Sequence, residues 1–317
     1  MVLLQILAGL LLLFVGGEAL VRGAVKIAKE YNISKLIIGV TIVAFGTSSP
    51  ELLITLQATL KGLNEIALGN VVGSNIANSF LVLGIASILF PIKVDKALLR
   101  FDMPYMIVAS FVLFAFVFTG YINRWESLVL LLILAIYTFT TLRRHKNLKD
   151  DAMNSQVDEF EDQFHFEITH KRAIWMIVLG TIALAVGGDI LVSGASKLAV
   201  ALGVSDAAIA VTIVAIGGSA PELATSTIAA YRKHSDIAIA NVIGSNIFNI
   251  LGVLGLSTLV KPIVTHSTTI VLFDIWVLVF SAMLLFSFSK RKNKISRGNG
   301  IVFLIFYAIY ISWQFMH

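Results

Sequence analysis

Apolar residues run along this chain in long stretches separated by short polar connections. The stretches are apolar on all sides rather than on one stripe, which suits a helix surrounded by lipid or by other helices. A helix needs about 20 mainly apolar residues to cross the hydrocarbon core of a bilayer. Ten segments are expected to do so: 2–25, 36–60, 66–90, 101–121, 126–142, 173–196, 206–230, 237–260, 268–289 and 300–316. Gly, Pro and polar residues interrupt the second, third, seventh and eighth of these. The first run lacks the basic start of a secretory leader, so it is expected to stay as a mature helix. Residues 143–172 break the pattern with charges of both signs. They read as a solvated loop between two halves, with Asp158, Glu159, Glu161 and Asp162 as ordinary loop acids. The fold expected is an all-α membrane protein.

Composition agrees. Hydrophobic residues make up 57% of the 317 and charged residues only 14%, against about 25% charged in soluble domains. Cysteine is absent, which excludes disulfides and thiolate metal sites. The net charge of +5 does not point to nucleic acid, because the basic residues cluster between apolar runs. Assigned alternately to the two sides of a ten-span chain, 20 of the 24 Lys and Arg fall on one side. Only Lys61, Arg124, Lys197 and Lys261 fall on the other. Basic loops concentrate in the cytoplasm. Both termini are therefore expected outside and the 143–172 loop in the cytoplasm.

The chain also aligns with itself at an offset of 171 residues. IGVTIVAFGTSSPEL (38–52) matches IAVTIVAIGGSAPEL (209–223) at 11 of 15 positions. IALGNVVGSNIAN (66–78) matches IAIANVIGSNIFN (237–249) at 9 of 13. Five spans per copy is an odd number, so the second copy must enter the membrane from the opposite side. Residues 1–142 are thus expected to form one five-helix repeat and residues 173–317 a second, inverted one. Inverted repeats are typical of secondary transporters, with the site near the bilayer midplane where the copies meet.

Both copies place Pro and Glu together inside an apolar run. A charge at mid-bilayer costs about 2.5–3.5 kcal/mol on insertion scales, and intramembrane carboxylates default to function. Pro50 and Pro221 loosen the helix before Glu51 and Glu222. Thr47, Ser48 and Glu51 are three or four residues apart, which on one continuous helix puts their oxygens on one face. Ser219 and Glu222 repeat the pattern, while Gly218 offers a carbonyl without the hydroxyl of Thr47. Ser74 and Asn78, and equally Ser245 and Asn249, are oxygen-bearing residues four apart. Hard oxygen ligands without His or thiol suit Ca²⁺ or Na⁺. Small and polar residues in spans also serve as helix-packing glue, and that use competes for Ser74, Asn78, Ser245 and Asn249. Glu18 reaches Arg22 one turn on, so a salt bridge is expected there. Asp206 and Asp236 read as helix-start residues.

GTSSPE with GNVVGSNIAN, and GGSAPE with ANVIGSNIFN, resemble the two alpha-repeats of the cation/Ca²⁺ exchanger superfamily, and within it the prokaryotic Na⁺/Ca²⁺ exchangers. The resemblance covers nearly the whole chain. It implies antiport of Na⁺ against Ca²⁺ by alternating access in a prokaryotic cell membrane, with the two ions as cargo and no prosthetic group. It further implies that Thr47, Ser48, Glu51, Ser219 and Glu222 are central ligands. Ser74, Asn78, Ser245 and Asn249 would flank them, and the carbonyls of Ala44 and Ala215 would complete the cage. Gly218 departs from a common Thr, and Asn249 from the Asp of some relatives, including K⁺-dependent ones.

An H⁺/Ca²⁺ antiporter on the same scaffold is the nearest rival, because Glu51 and Glu222 could carry protons. The many neutral oxygens favour Na⁺. A cation channel would need an oligomeric pore or a continuous water path, whereas this chain is expected to work as a monomer in the lipid bilayer. An intramembrane metalloenzyme would want a motif such as H-E-x-x-H, and none is present.

Overall fold

The computed structural model describes residues 2–31, 33–147, 168–202, 215–264 and 273–316. Asp158, Glu159, Glu161, Asp162 and Asp206 lie outside the described residues.

Helices dominate. In chain order the first half contains α1 (Val2–Glu30), α2 (Lys35–Ile38), α3 (Ala44–Thr47), α4 (Ser49–Leu60), α5 (Asn64–Ala77), α6 (Leu83–Leu89), α7 (Met103–Phe118) and α8 (Arg124–Asn147). The second half contains α9 (His170–Ala201), α10 (Ala215–Gly218), α11 (Ala220–Tyr231), α12 (Ser235–Phe248), α13 (Gly255–Val260), α14 (Ile275–Lys290) and α15 (Arg297–Met316). Wider π-turns over Gly39–Val43, Asn78–Val82 and Asn249–Leu254 join consecutive pieces. Such turns are uncommon and concentrate at functional sites.

Among the described residues, six helices are long and apolar enough to cross a membrane, or seven if one bent pair counts as a single span. The molecule presents large apolar side chains outward, including Leu3, Leu7, Phe14, Trp125, Leu132 and Ile305. Water would not favour so much exposed apolar surface, whereas lipid tails do.

Three expectations need correction. The 36–60 segment is not one helix: it breaks at Ser48, and its two parts bend by 46°. The 143–172 loop is shorter than expected, because α8 runs to Asn147 and α9 starts at His170. Basic and polar side chains at these helix ends lowered the apolar signal there without ending the hydrogen-bond ladder. The fold is also not purely helical. Ile92–Lys93 pairs with Lys294–Ile295, and Tyr121–Ile122 with Ile263–Val264, in short antiparallel ladders. Each ladder joins one half of the chain to the other.

The longest helix contact is between α1 and α9. It is a glycine seam. Gly9, Gly16 and Gly23 recur every seven residues on α1, and Gly180, Gly187 and Gly194 do so on α9. A Cβ at Gly16 would lie 2.9 Å from the carbonyl of Gly180, and one at Gly187 would lie 2.9 Å from the backbone of Leu13. Only glycine permits backbones to approach this closely. A larger core lies elsewhere, around Val71, Phe80, Leu83, Ile243, Leu251 and Phe303. Residues of α5 and α12 make up much of it.

Candidate ion-binding site

The two Pro-Glu segments begin new helices. Ser48 has φ −86° and ψ 5°, so α3 ends at Thr47 and α4 starts just after it. Ser219 has φ −93° and ψ 11° between α10 and α11. Pro50 and Pro221 occupy the first turn of α4 and α11, where the missing N–H costs nothing because no carbonyl waits for it. Glu51 and Glu222 fall in the same first turns. There the partial positive charge of the helix start favours a carboxylate. Thr47, Ser48 and Glu51 therefore do not share one helix face as expected. They stand around a break in the helix at Ser48.

Burial is complete. Glu51 is 1% exposed and Glu222 0%, and Thr47, Ser48, Asn78, Ser245 and Asn249 are also fully enclosed. The structure brings several sequence candidates into hydrogen-bond contact, some of it across the two halves. Ser48 donates to Oε1 of Glu222 at 3.3 Å. The Thr47 and Ser245 hydroxyls meet at 3.2 Å, and Ser245 reaches the carbonyl of Ala44 at 3.5 Å. Ser74 donates to Oε1 of Glu51 at 3.5 Å.

Oxygens are left over. Oε2 of Glu51, Oε2 of Glu222, Oγ of Ser219 and Oδ1 of Asn78 and Asn249 are buried without a hydrogen-bond partner among the described residues. An unpaired buried polar atom costs about 1–3 kcal/mol, and a stable fold does not usually leave so many together. A cation would satisfy these oxygens. No cluster of three His, Cys, Asp or Glu side chains exists among the described residues, so neutral oxygens must supply most ligands. Gly218 is half-buried, and Ala215 opens α10.

The sequence reading missed a polar layer one turn beyond the carboxylates. Asn70 donates to Oγ1 of Thr55 at 2.9 Å and to the carbonyl of Glu51 at 3.4 Å. Asn241 donates to Oγ of Ser226 at 3.0 Å and accepts from Thr47 at 3.1 Å. Asn246 donates to Ser79 at 3.0 Å behind the site. The signal was available: Thr55 and Ser226, and Asn70 and Asn241, are also 171 apart. Away from the centre, Glu18 forms the expected pair with Arg22 and a second one with Arg232. Asp236 lies in the first turn of α12.

The family model described as "Sodium/calcium exchanger protein" matches residues 1–143 and 172–316. The sodium/calcium exchanger MaX1 of Methanosarcina acetivorans is 31% identical over 97% of both chains. The putative antiporter CaxA of Alkalimonas amylolytica is 35% identical over 98% of this chain and 97% of its own. The solved structure of the sodium-calcium exchanger NCX_Mj, soaked with zero Na⁺ and Ca²⁺, superposes with a TM-score of 0.81. It is 34% identical, and the match covers 98% of each chain.

Proposed function

The chain belongs to the sodium/calcium exchanger family, and from that premise we propose that it exchanges Na⁺ for Ca²⁺ across a cell membrane by alternating access. Ten spans in two inverted five-helix repeats are the architecture that this reading requires. The 171-residue offset and the ladders joining the halves support it. Orientation follows from the basic loops, with both termini outside.

The observation that carries the reading is the pair of enclosed carboxylates. Each begins a helix just after a break, and each leaves one oxygen unpaired among neutral oxygens. Two carboxylates balance one Ca²⁺. With Ca²⁺ gone, the same oxygens and the surrounding hydroxyls can hold Na⁺, so the ions compete for one charge pair and their movements couple. In this reading Glu51 and Glu222 are the charged ligands. Thr47, Ser48, Ser74, Asn78, Ser219, Ser245, Asn249 and the carbonyls of Ala44, Ala215 and Gly218 are the neutral ones. The relatives favour Na⁺ over H⁺ as the counter-ion.

Purified protein in liposomes tests this. An outward Na⁺ gradient should drive ⁴⁵Ca²⁺ uptake, and a pH gradient without Na⁺ should not. Uptake that follows only the pH gradient would replace Na⁺ with H⁺. Ca²⁺ flux that needs no counter-ion would replace exchange with a channel.

A further inference from the structure

Away from the ion site, the seam between α1 and α9 opens into a crease of about 280 Å³, lined by Phe14, Val15, Glu18, Ala19, Arg22 and Met176. The two helices run antiparallel, since Gly9 packs on Leu191 and Gly23 on Ala173. The end of α1 and the start of α9 therefore lie at one level. One end of the crease is apolar, and its Phe14 and Val15 are about half exposed. The other end is basic. Val15, Glu18, Arg22, Lys26 and Lys29 follow one another at steps of three or four residues, so they share one face of α1. On α9, Arg172 stands one turn before Met176. The nearby acids do not cancel these charges. Glu18 already pairs with both Arg22 and Arg232, and Glu30 lies 3.1 Å from His170. Trp175 follows Arg172 by three residues and Tyr31 follows Lys29 by two, and both rings are exposed. Exposed Trp and Tyr mark the headgroup level of a bilayer.

The repeat supplies a comparison within the same seam. At the offset of 171, Arg22 is matched by Ser193 and Lys29 by Val200. Lys26 is matched by Lys197, which donates to Gln5. One end of the seam is thus strongly basic and the matching positions at the other end are not.

We propose that the crease binds one anionic phospholipid. An acyl chain lies along Phe14, Val15, Ala19 and Met176, and the phosphate sits among Lys26, Lys29 and Arg172. Basic pockets between spanning helices suit anionic headgroups, with each Lys or Arg near the surface adding to the attraction. A zwitterionic lipid gains the apolar contact without the net charge. The crease does not include Glu51 or Glu222, so the proposal is independent of which ions are exchanged.

Native mass spectrometry of the full-length chain in detergent tests it, by titration with phosphatidylglycerol or phosphatidylcholine of identical acyl chains. The first phosphatidylglycerol should bind at least about tenfold tighter than the first phosphatidylcholine. Lys26→Gln combined with Arg172→Gln should bring the two lipids within about twofold. Arg172 is exposed, so Arg172→Gln alone is the milder variant if the pair impairs folding, and it should reduce the preference about threefold. Ala19→Phe, which fills the apolar part, should weaken both lipids alike. Lys290→Gln combined with Arg291→Gln removes as much charge elsewhere on the surface and should leave the preference intact. An equal loss in that pair would overturn the site in favour of diffuse surface charge. A wild-type chain without the preference, or a preference that survives the changes at Lys26 and Arg172, would also overturn it.

Discussion

Glu222 accepts a hydrogen bond from Ser48 of the opposite half, at 3.3 Å. Glu51 accepts from Ser74 of its own half, at 3.5 Å, and Ser219, the counterpart of Ser48, has no hydrogen-bond partner among the described residues. The difference extends outward. Thr47 ties α3 to α12 through Asn241 and Ser245, and no side-chain hydrogen bond is seen from α10 to α5 among the described residues. Asn241 is fully buried while Asn70 is half-buried. Among the described residues, the Thr47 side of the site thus has more side-chain hydrogen bonds across the two halves than the Gly218 side. A transporter that must open to each side in turn gains from sides that open at different cost.

The largest expected effect treats the halves as equals. Glu51→Gln and Glu222→Gln should each reduce Na⁺-driven Ca²⁺ uptake by at least about a hundredfold, since either change leaves one charge facing a divalent ion. Near-normal uptake in one variant would show that the two carboxylates are not a pair.

Thr47→Val removes a hydroxyl that serves two buried partners. Leaving Asn241 Oδ1 unpaired costs about 1–3 kcal/mol, so Ca²⁺ affinity should fall about tenfold by equilibrium binding. Asn241→Ala should be the next strongest and should weaken binding more than Asn70→Ala, because Asn241 links Ser226 to Thr47 while Asn70 stays within its own half. Equal losses would erase the asymmetry.

Two smaller effects lie at the membrane surface. Arg232→Ala leaves Glu18 with Arg22 alone, and partly exposed ion pairs contribute about 1 kcal/mol or less. Its Tm in detergent should drop by only a few degrees. His234 lies between α11 and α12. Burial, then the charges of Lys35, Lys29 and Arg232, push its pKa down to about 4. The folded state therefore takes up this proton less readily than the unfolded chain, whose His titrates near 6.5. This contribution to stability is present above pH 6.5 and is lost as pH falls toward 4. His234→Gln should flatten the fall of Tm between pH 7 and pH 5.

Much of the site could be read from residue order. Pro50-Glu51 and Pro221-Glu222 stand out because lipid penalises both residue types, and the constant offset shows that they are copies. The break at Ser48 was less legible. Gly46, Pro50 and the hydroxyls announce a weakened helix, but whether it bends, and toward which neighbour, depends on what packs against it. The seven-residue glycine spacing on α1 and α9 was visible and passed unread, since single glycines in apolar runs are common.

The sequence by itself determined the membrane character, the repeat, the carboxylate pair and the family, because each is a property of composition or of local spacing. The tertiary structure alone decided which oxygens meet. Thr47 and Asn241 are 194 residues apart, and no periodic pattern records a contact made by folding one half onto the other. The inequality of the two halves belongs to the same class. Gly218 is one letter in the chain, and its consequence is set by what the fold packs around it.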